Sequence, residues 1–135
     1  MRTDVLYDPL RRREVACTPE EEVRQWFIVQ LRDALGVPAH LMMSEAPLKF
    51  GGKAYRADIL IYDRSGQPLA VVECKRPSVA LDAEVARQAL RYDMVLPVRW
   101  IILVNGTSVM AFRREGGSFV PSGSLPNYEK MLCLH

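Results

Sequence analysis

RADILIYDRSGQPLAVVECKRP, from Arg56 to Pro77, sets two apolar runs on either side of a polar Asp-Arg-Ser-Gly-Gln turn. Each run carries acid where a buried strand ordinarily carries none. If the runs pair as an antiparallel hairpin about the midpoint of Ser65 and Gly66, residues whose numbers sum to 131 face one another, which sets Asp58 opposite Glu73. Directly opposed side chains share a face, with β-carbons roughly 4.5 to 5.5 Å apart. Lys75, two residues beyond Glu73, points to that same face because strand side chains alternate with period two. Two like charges so placed destabilise a sheet unless something positive lies between them. A divalent metal ion is the usual answer.

The rest of the chain sets the bounds. Its 135 residues, 49% hydrophobic and 25% charged, are enough for one core and too few for two comfortable domains, so residues 1–135 read as a single α/β domain. A net charge of +2 permits a nucleic-acid partner without arguing for one. The opening MRTDVLYDPLRRRE is charged throughout and has no signal-peptide core, and no run approaches the roughly 18 apolar residues that span a bilayer. The expectation is a cytoplasmic protein with no membrane partner. Cys17, Cys74 and Cys133 are odd in number and widely spaced, which indicates reduced thiols rather than disulfides or a zinc site.

Arg11, Arg12 and Arg13 follow a Tyr7-Asp8-Pro9 turn, and read either as phosphate contacts or as a solvated basic edge. Thr18-Pro19-Glu20-Glu21 is a helix start, with Thr18 as N-cap, proline at the first helical position and Glu21 completing a capping box. The helix is predicted to run from Pro19 to about Leu35 and to stop at Gly36. Val23, Phe27, Leu31 and Ala34 define its apolar stripe. Glu20 projects along that stripe, Glu21 falls at its edge and Glu22 points away. Glu20 is then the carboxylate aimed toward the sheet; the competing reading has all three acids complementing the positive helix N-terminus.

Leu41 to Phe50 reads as a strand that Gly51-Gly52 turns back on itself, so that residues summing to 103 pair and Glu45 falls opposite Asp58. One extra loop residue would carry Glu45 to the other face. Pro47 makes this an edge strand. Asp82 caps a second helix running to about Leu96, whose buried face of Val85, Ala89, Tyr92 and Leu96 also takes Gln88. Val98 to Val104 is a central strand, and Asn105-Gly106 supplies a type I′ turn into Thr107 to Arg113. Gly116-Gly117 turns the chain again, and the tail ends in a short helix. The order α-β-β-β-α-β-β describes a mixed β-sheet flanked by helices, an α/β sandwich. His40 and His135 stand apart, and no phosphate loop or Ser-His-Asp series competes with the acidic cluster.

Two carboxylates and an ammonium on one hairpin face suit Mg²⁺, which keeps several waters and accepts one or two protein carboxylates beside a substrate phosphate. The bland alternative is a cross-strand ion pair between Lys75 and one acid. What separates the two is that the triplet sits inside apolar runs, where unpaired charge is expensive.

At Asp58 and Glu73-x-Lys75 the chain resembles the PD-(D/E)XK nuclease superfamily, and more widely the N-terminal domain of type I restriction enzyme R (HsdR) subunits. The matching blocks are YDPLRRREV, TPEEEVRQ, RADILIYD, PLAVVECKRPSV, QALRY and ILVNG, in the family's order over most of residues 7–112, with 113–135 as a C-terminal extension. Ala57 departs from the proline in the superfamily's name, a position that contributes no ligand. The resemblance implies a restriction endonuclease-like fold and a Mg²⁺-dependent DNA endonuclease in which Mn²⁺ substitutes. In that reading Asp58 and Glu73 bind the metal, Lys75 assists the attacking water, and Glu20 is the helix acid, with Glu21 the alternative for that role. Gln88 and Tyr92 match a Gln-x-x-x-Tyr motif beside the active site of some of these nucleases, and Glu45 is a neighbour of the site. DNA and other restriction-modification subunits are the implied partners, although 135 residues leave no room for a full subunit's motor domains. From a different class, the alternative is a non-catalytic nucleic-acid-binding or assembly module that retains the fold.

Overall fold

The computed structural model describes residues 4–93 and 96–133, with the helical backbone alone for Tyr92 and Asp93. A hairpin opens the chain, β1 (Val5–Asp8) antiparallel to β2 (Arg13–Ala16). The predicted order lacks this hairpin, because its organiser is one polar residue. Asp8 is fully buried, and its carboxylate accepts from the backbone N–H groups of Leu10 and Arg11 and from the Arg11 guanidinium.

Helix α1 (Pro19–Val29) starts as expected, with Thr18 Oγ1 accepting the Glu21 N–H at 3.1 Å. A π-helical turn over Gln30–Ala34 carries it on to Gly36, whose φ of +75° suits the residue that ends a helix in the left-handed region. Strands β3 (Met42–Phe50) and β4 (Lys53–Tyr62) meet at Gly51 and Gly52, both with positive φ as a type I′ turn requires. Their register, Met42 with Ile61 through Phe50 with Lys53, keeps the predicted sum of 103. Strand β5 (Pro68–Cys74) pairs with β4 from Ile61–Ala70 to Ile59–Val72, the predicted sum of 131, and slips by one at Tyr62–Pro68.

Asp82 Oδ1 caps α2 (Ala83–Asp93) through the Val85 N–H at 2.9 Å. This helix is the crossover that lets β6 (Trp100–Val104) lie parallel to β5. Every residue of β6 is buried, which is why its sequence is apolar without alternation. The turn after it is not type I′. Gly106 has a positive φ and Asn105 does not; Asn105 Oδ1 instead accepts the N–H groups of Thr107 and Ser108. Strands β7 (Val109–Glu115) and β8 (Ser118–Ser122) follow antiparallel, and α3 (Tyr128–Cys133) closes the described chain.

The six strands lie in the order β3-β4-β5-β6-β7-β8, so Pro47 sits on an edge strand, where a proline without an N–H is tolerated. On one face Val23 and Phe27 of α1 and Leu31 of the π-helical turn, with Tyr128 and Met131 of α3, pack on Ile59, Val72, Ile102 and Val104. On the other, Ala86 and Ala89 of α2 cover Leu60, Val71, Ile101 and Leu103. The result is the predicted sandwich of helices about a mixed sheet. Among the described residues no helix is long and apolar enough to cross a membrane. Ile102 is fully buried on the central strand. Replacing it with alanine is expected to cost about 2 to 5 kcal/mol in a urea unfolding titration.

Candidate active site

Strand β4 changes face at Asp58. Tyr55 and Ala57 belong to the core beneath α2, whereas Ile59 and Ile61 belong to the core beneath α1. Residues two apart on a regular strand share a face, so the strand is irregular between Ala57 and Ile59. The partner strand is irregular at the same level. Glu45 has φ +53°, a left-handed conformation foreign to a strand, and the ladder passes from Ser44–Ile59 to Ala46–Ala57 without a Glu45–Asp58 pair. Pairing with β5 stops here too, the last pair being Ile59–Val72. One step further, the Asp58 carboxylate replaces a backbone carbonyl as acceptor, and its Oδ2 takes the Cys74 N–H at 2.7 Å.

Glu73 is half-buried on the adjoining end of β5, and Lys75 is half-buried just beyond it, its backbone N–H donating to the Val104 carbonyl at 2.8 Å. Among the described residues the Glu73 and Lys75 side chains make no hydrogen bond or ion pair, so the predicted alternative of a cross-strand salt bridge is not formed. Burial raises the Asp58 carboxyl above its ordinary value, against the lowering influence of the Cys74 N–H and the Arg24 charge, while the charges of Glu73 and Glu45 add to the rise. Burial also pushes the Cys74 thiol far up, which keeps it protonated and unreactive.

Of the acids of α1, Glu22 is exposed as its helical angle predicts, whereas Glu20 and Glu21 take different places. Glu20 lies on the line of the apolar stripe but in the first turn, where nothing covers it, and it is exposed. Glu21 is the buried one. Its carboxylate accepts from Arg11 Nη2 at 2.8 Å to each oxygen and from Gln25 Nε2 at 2.9 Å. It does not complete the capping box; the Thr18 N–H goes to the Ala16 carbonyl at 3.1 Å instead. Three hydrogen bonds from a guanidinium and an amide hold this carboxylate more strongly than a single backbone N–H would.

The residue that sequence reasoning misses is Arg24, which is 6% exposed. Its Nη2 donates to Glu45 Oε1 at 2.7 Å and its Nη1 to the Asp58 carbonyl at 3.2 Å. Its Nε stands 3.2 Å from Glu21 Oε2, within ion-pair range but off the hydrogen-bond line. Glu45 also accepts from Arg56 Nη1 at 3.0 Å. Burial by itself would raise the Glu45 carboxyl, but the hydrogen bond and charge of Arg24, with the charge of Arg56, outweigh it and hold the group below its usual value. The available signal was an arginine next to Val23 on a stripe that otherwise faces the core, which implies carboxylates waiting for it.

Gln88 does not share the buried face of α2. It is exposed, and its Nε2 donates along the helix to Glu84 Oε1 at 3.2 Å, while Ala86 and Ala89 supply the contact with the sheet. The Tyr92 side chain lies outside the described residues. Among the described residues no group of three or more His, Cys, Asp or Glu side chains is gathered to hold a metal ion, so Glu20 does not join Asp58 and Glu73 in a ready cage. The pair alone still suits Mg²⁺, since that ion needs only one or two protein carboxylates and Glu73 forms no ion pair among the described residues.

Helices about a mixed sheet, with acids where two neighbouring strands part, define a nuclease-fold domain. The family described as type I restriction enzyme R protein N terminus (HSDR_N) matches residues 19–126, most of the chain, and the chain belongs to that family. Hairpin β1–β2 precedes the matched stretch. No curated protein matches the chain. Solved structures do. A fragment provisionally assigned as an HsdR subunit of a type I restriction enzyme from Vibrio vulnificus YJ016 is 21% identical over 87% of this chain and 25% of its own, with a TM-score of 0.61. DrdV, solved as a complex with DNA by cryo-electron microscopy, is 24% identical over 85% of this chain and 11% of its own, TM-score 0.52. A DUF820 protein from Anabaena variabilis ATCC 29413, provisionally assigned as a nuclease, is 11% identical over 91% of this chain and 82% of its own, TM-score 0.54. The chain thus spans a quarter or less of the first two.

The raised Asp58 carboxyl carries a stability consequence. A folded-state pKa above the ordinary 3.8 means that the ionised group opposes folding at neutral pH, and that the opposition fades as pH falls through the folded value toward 3.8. Asp58→Asn keeps an acceptor for the Cys74 N–H and removes the charge. In EDTA, thermal melts should show the variant more stable than wild type at pH 7, with the gap closing in acid.

Proposed function

We propose that this domain is a Mg²⁺-dependent DNA endonuclease of the PD-(D/E)XK type, with Asp58 and Glu73 as the residues that would hold the ion and Mn²⁺ able to replace it. The observation that carries the reading is the parting of β4 and β5 at Asp58, which leaves two acids and an amine at the end of a paired region with one backbone hydrogen bond among their side chains. When bound, Mg²⁺ polarises a phosphoryl oxygen and lowers the pKa of a water molecule. Asp58 is fixed for its part by the Cys74 N–H. Lys75, its backbone tied to Val104, orients the attacking water and offsets the charge that builds on the phosphate. Glu21 is committed to Arg11 and Gln25, so Glu20, exposed at the open end of α1, is the helix acid free to act through water. Substrate support by Gln88, which is exposed and bonded along its helix to Glu84, rests on the Gln-x-x-x-Tyr match alone. The product is a hydrolysed phosphodiester.

DNA as the substrate is supported by the likeness to part of DrdV, which was solved with DNA. Other restriction-modification subunits as partners are supported by membership of the R-protein family. A plasmid-nicking assay with Mg²⁺ or Mn²⁺ tests the proposal. Lys75→Ala and Asp58→Ala should each reduce cleavage by about 10²- to 10⁴-fold, with circular dichroism unchanged. Cleavage that survives Lys75→Ala would place the activity elsewhere. A folded wild type that binds no metal by calorimetry, even with DNA present, would favour the non-catalytic binding or assembly module.

A further inference from the structure

Arg24 lies outside every catalytic role described above, yet its side chain joins three elements around the site. From α1 it reaches the carboxylate of Glu45 on β3 at 2.7 Å and the backbone carbonyl of Asp58 on β4 at 3.2 Å. Its own position is set by Glu21 at 3.2 Å, and Glu21 is gripped by Arg11 of the N-terminal hairpin, which also holds the buried Asp8. Two backbone irregularities of the sheet, the left-handed Glu45 and the face change at Asp58, fall on Arg24's partners.

We propose that Arg24 is a positioning residue for Asp58: by bridging Glu45 and the Asp58 carbonyl it holds β3 and β4 in their bulged form, and that form is what turns the Asp58 carboxylate onto the Cys74 N–H. The physical reason lies in the backbone. A residue such as glutamate at positive φ is strained and persists only when its surroundings hold it there. Arg24 and Arg56 are the two groups that hold Glu45, and Arg24 is the buried one, with a planar fork able to serve two acceptors on different strands at once. Without it the cheaper course is a regular ladder, in which Asp58 alternates with its neighbours and a backbone carbonyl takes the Cys74 N–H. Glu21 on α1 keeps the Arg24 guanidinium in place, and is itself held by Arg11, which Asp8 anchors in the hairpin.

The role of Asp58 in metal binding rests on the function proposed above, but its placement is measurable without metal. Amide hydrogen exchange read by NMR gives the strength of the Asp58–Cys74 bond directly. Arg24→Lys keeps the charge and loses the fork; Glu45→Gln is the second variant, should the first fold poorly. In either, protection of the Cys74 N–H is expected to fall about tenfold relative to that of Val72, the loss of one hydrogen bond. The core variant Ile102→Val, which weakens the fold without touching Arg24, should lower both amides together. A fall at Cys74 that merely matches Val72 in Arg24→Lys and Glu45→Gln would overturn the proposal. Calorimetry with Mn²⁺ separates this from the nuclease reading. Wild type that binds Mn²⁺, with affinity reduced about 10- to 100-fold in the variants, supports both. Wild type that binds none defeats the nuclease reading, and the exchange data still decide the role of Arg24.

Discussion

The site depends on a mismatch between the sheet and one of its own residues. At Asp58 the ladder between β4 and β5 gives out, and a side-chain oxygen replaces the backbone acceptor that Cys74 would otherwise meet. A regular ladder satisfies each backbone group without a charged side chain. Here a carboxylate is drawn into a half-buried position where its ionised form is disfavoured. The backbone ladder therefore ends there, and a side-chain oxygen of Asp58 follows the paired valines and isoleucines of the hairpin.

Around that point the structure is polar in a way the core elsewhere is not. Asp8, Arg11, Glu21, Arg24 and Glu45 link the first hairpin, the first helix and the edge strand through successive ion pairs. Buried ion pairs of this kind rarely add much net stability compared with a well-packed apolar set, because each ion gives up its water. What they do well is fix geometry, since an arginine fork accepts few arrangements of its carboxylates. The apolar contacts of Val23 and Phe27 attach α1 to the sheet; the charged contacts set where its first turn stands relative to Asp58.

Much of the fold was readable because its signals are local. Paired glycines at 51 and 52 define one hairpin, Thr18-Pro19 starts one helix, and the registers that sum to 103 and 131 follow from turn length alone. The reading failed where a polar residue was the organiser. Asp8 folds a hairpin from a stretch with no clear period, Asn105 builds its own turn in place of a type I′ turn, and Gln88 stays in solvent although its helical angle lies beside an apolar stripe. None of these outcomes is encoded by spacing, because each turns on which hydrogen bond wins.

The sequence by itself determined the layered architecture, the registers of β3 with β4 and of β4 with β5, and the nearness of Asp58, Glu73 and Lys75 along the chain. Periodicity and turn chemistry act over a few residues, and the chain carries them wherever it goes. Tertiary structure alone decided which acid of α1 is buried, that Arg24 reaches two strands, and that β4 switches face at Asp58. Those depend on groups from distant parts of the chain competing for the same partners. Helical angle ranked Glu20 ahead of Glu21; the arrival of Arg11 from a separate hairpin reversed the order.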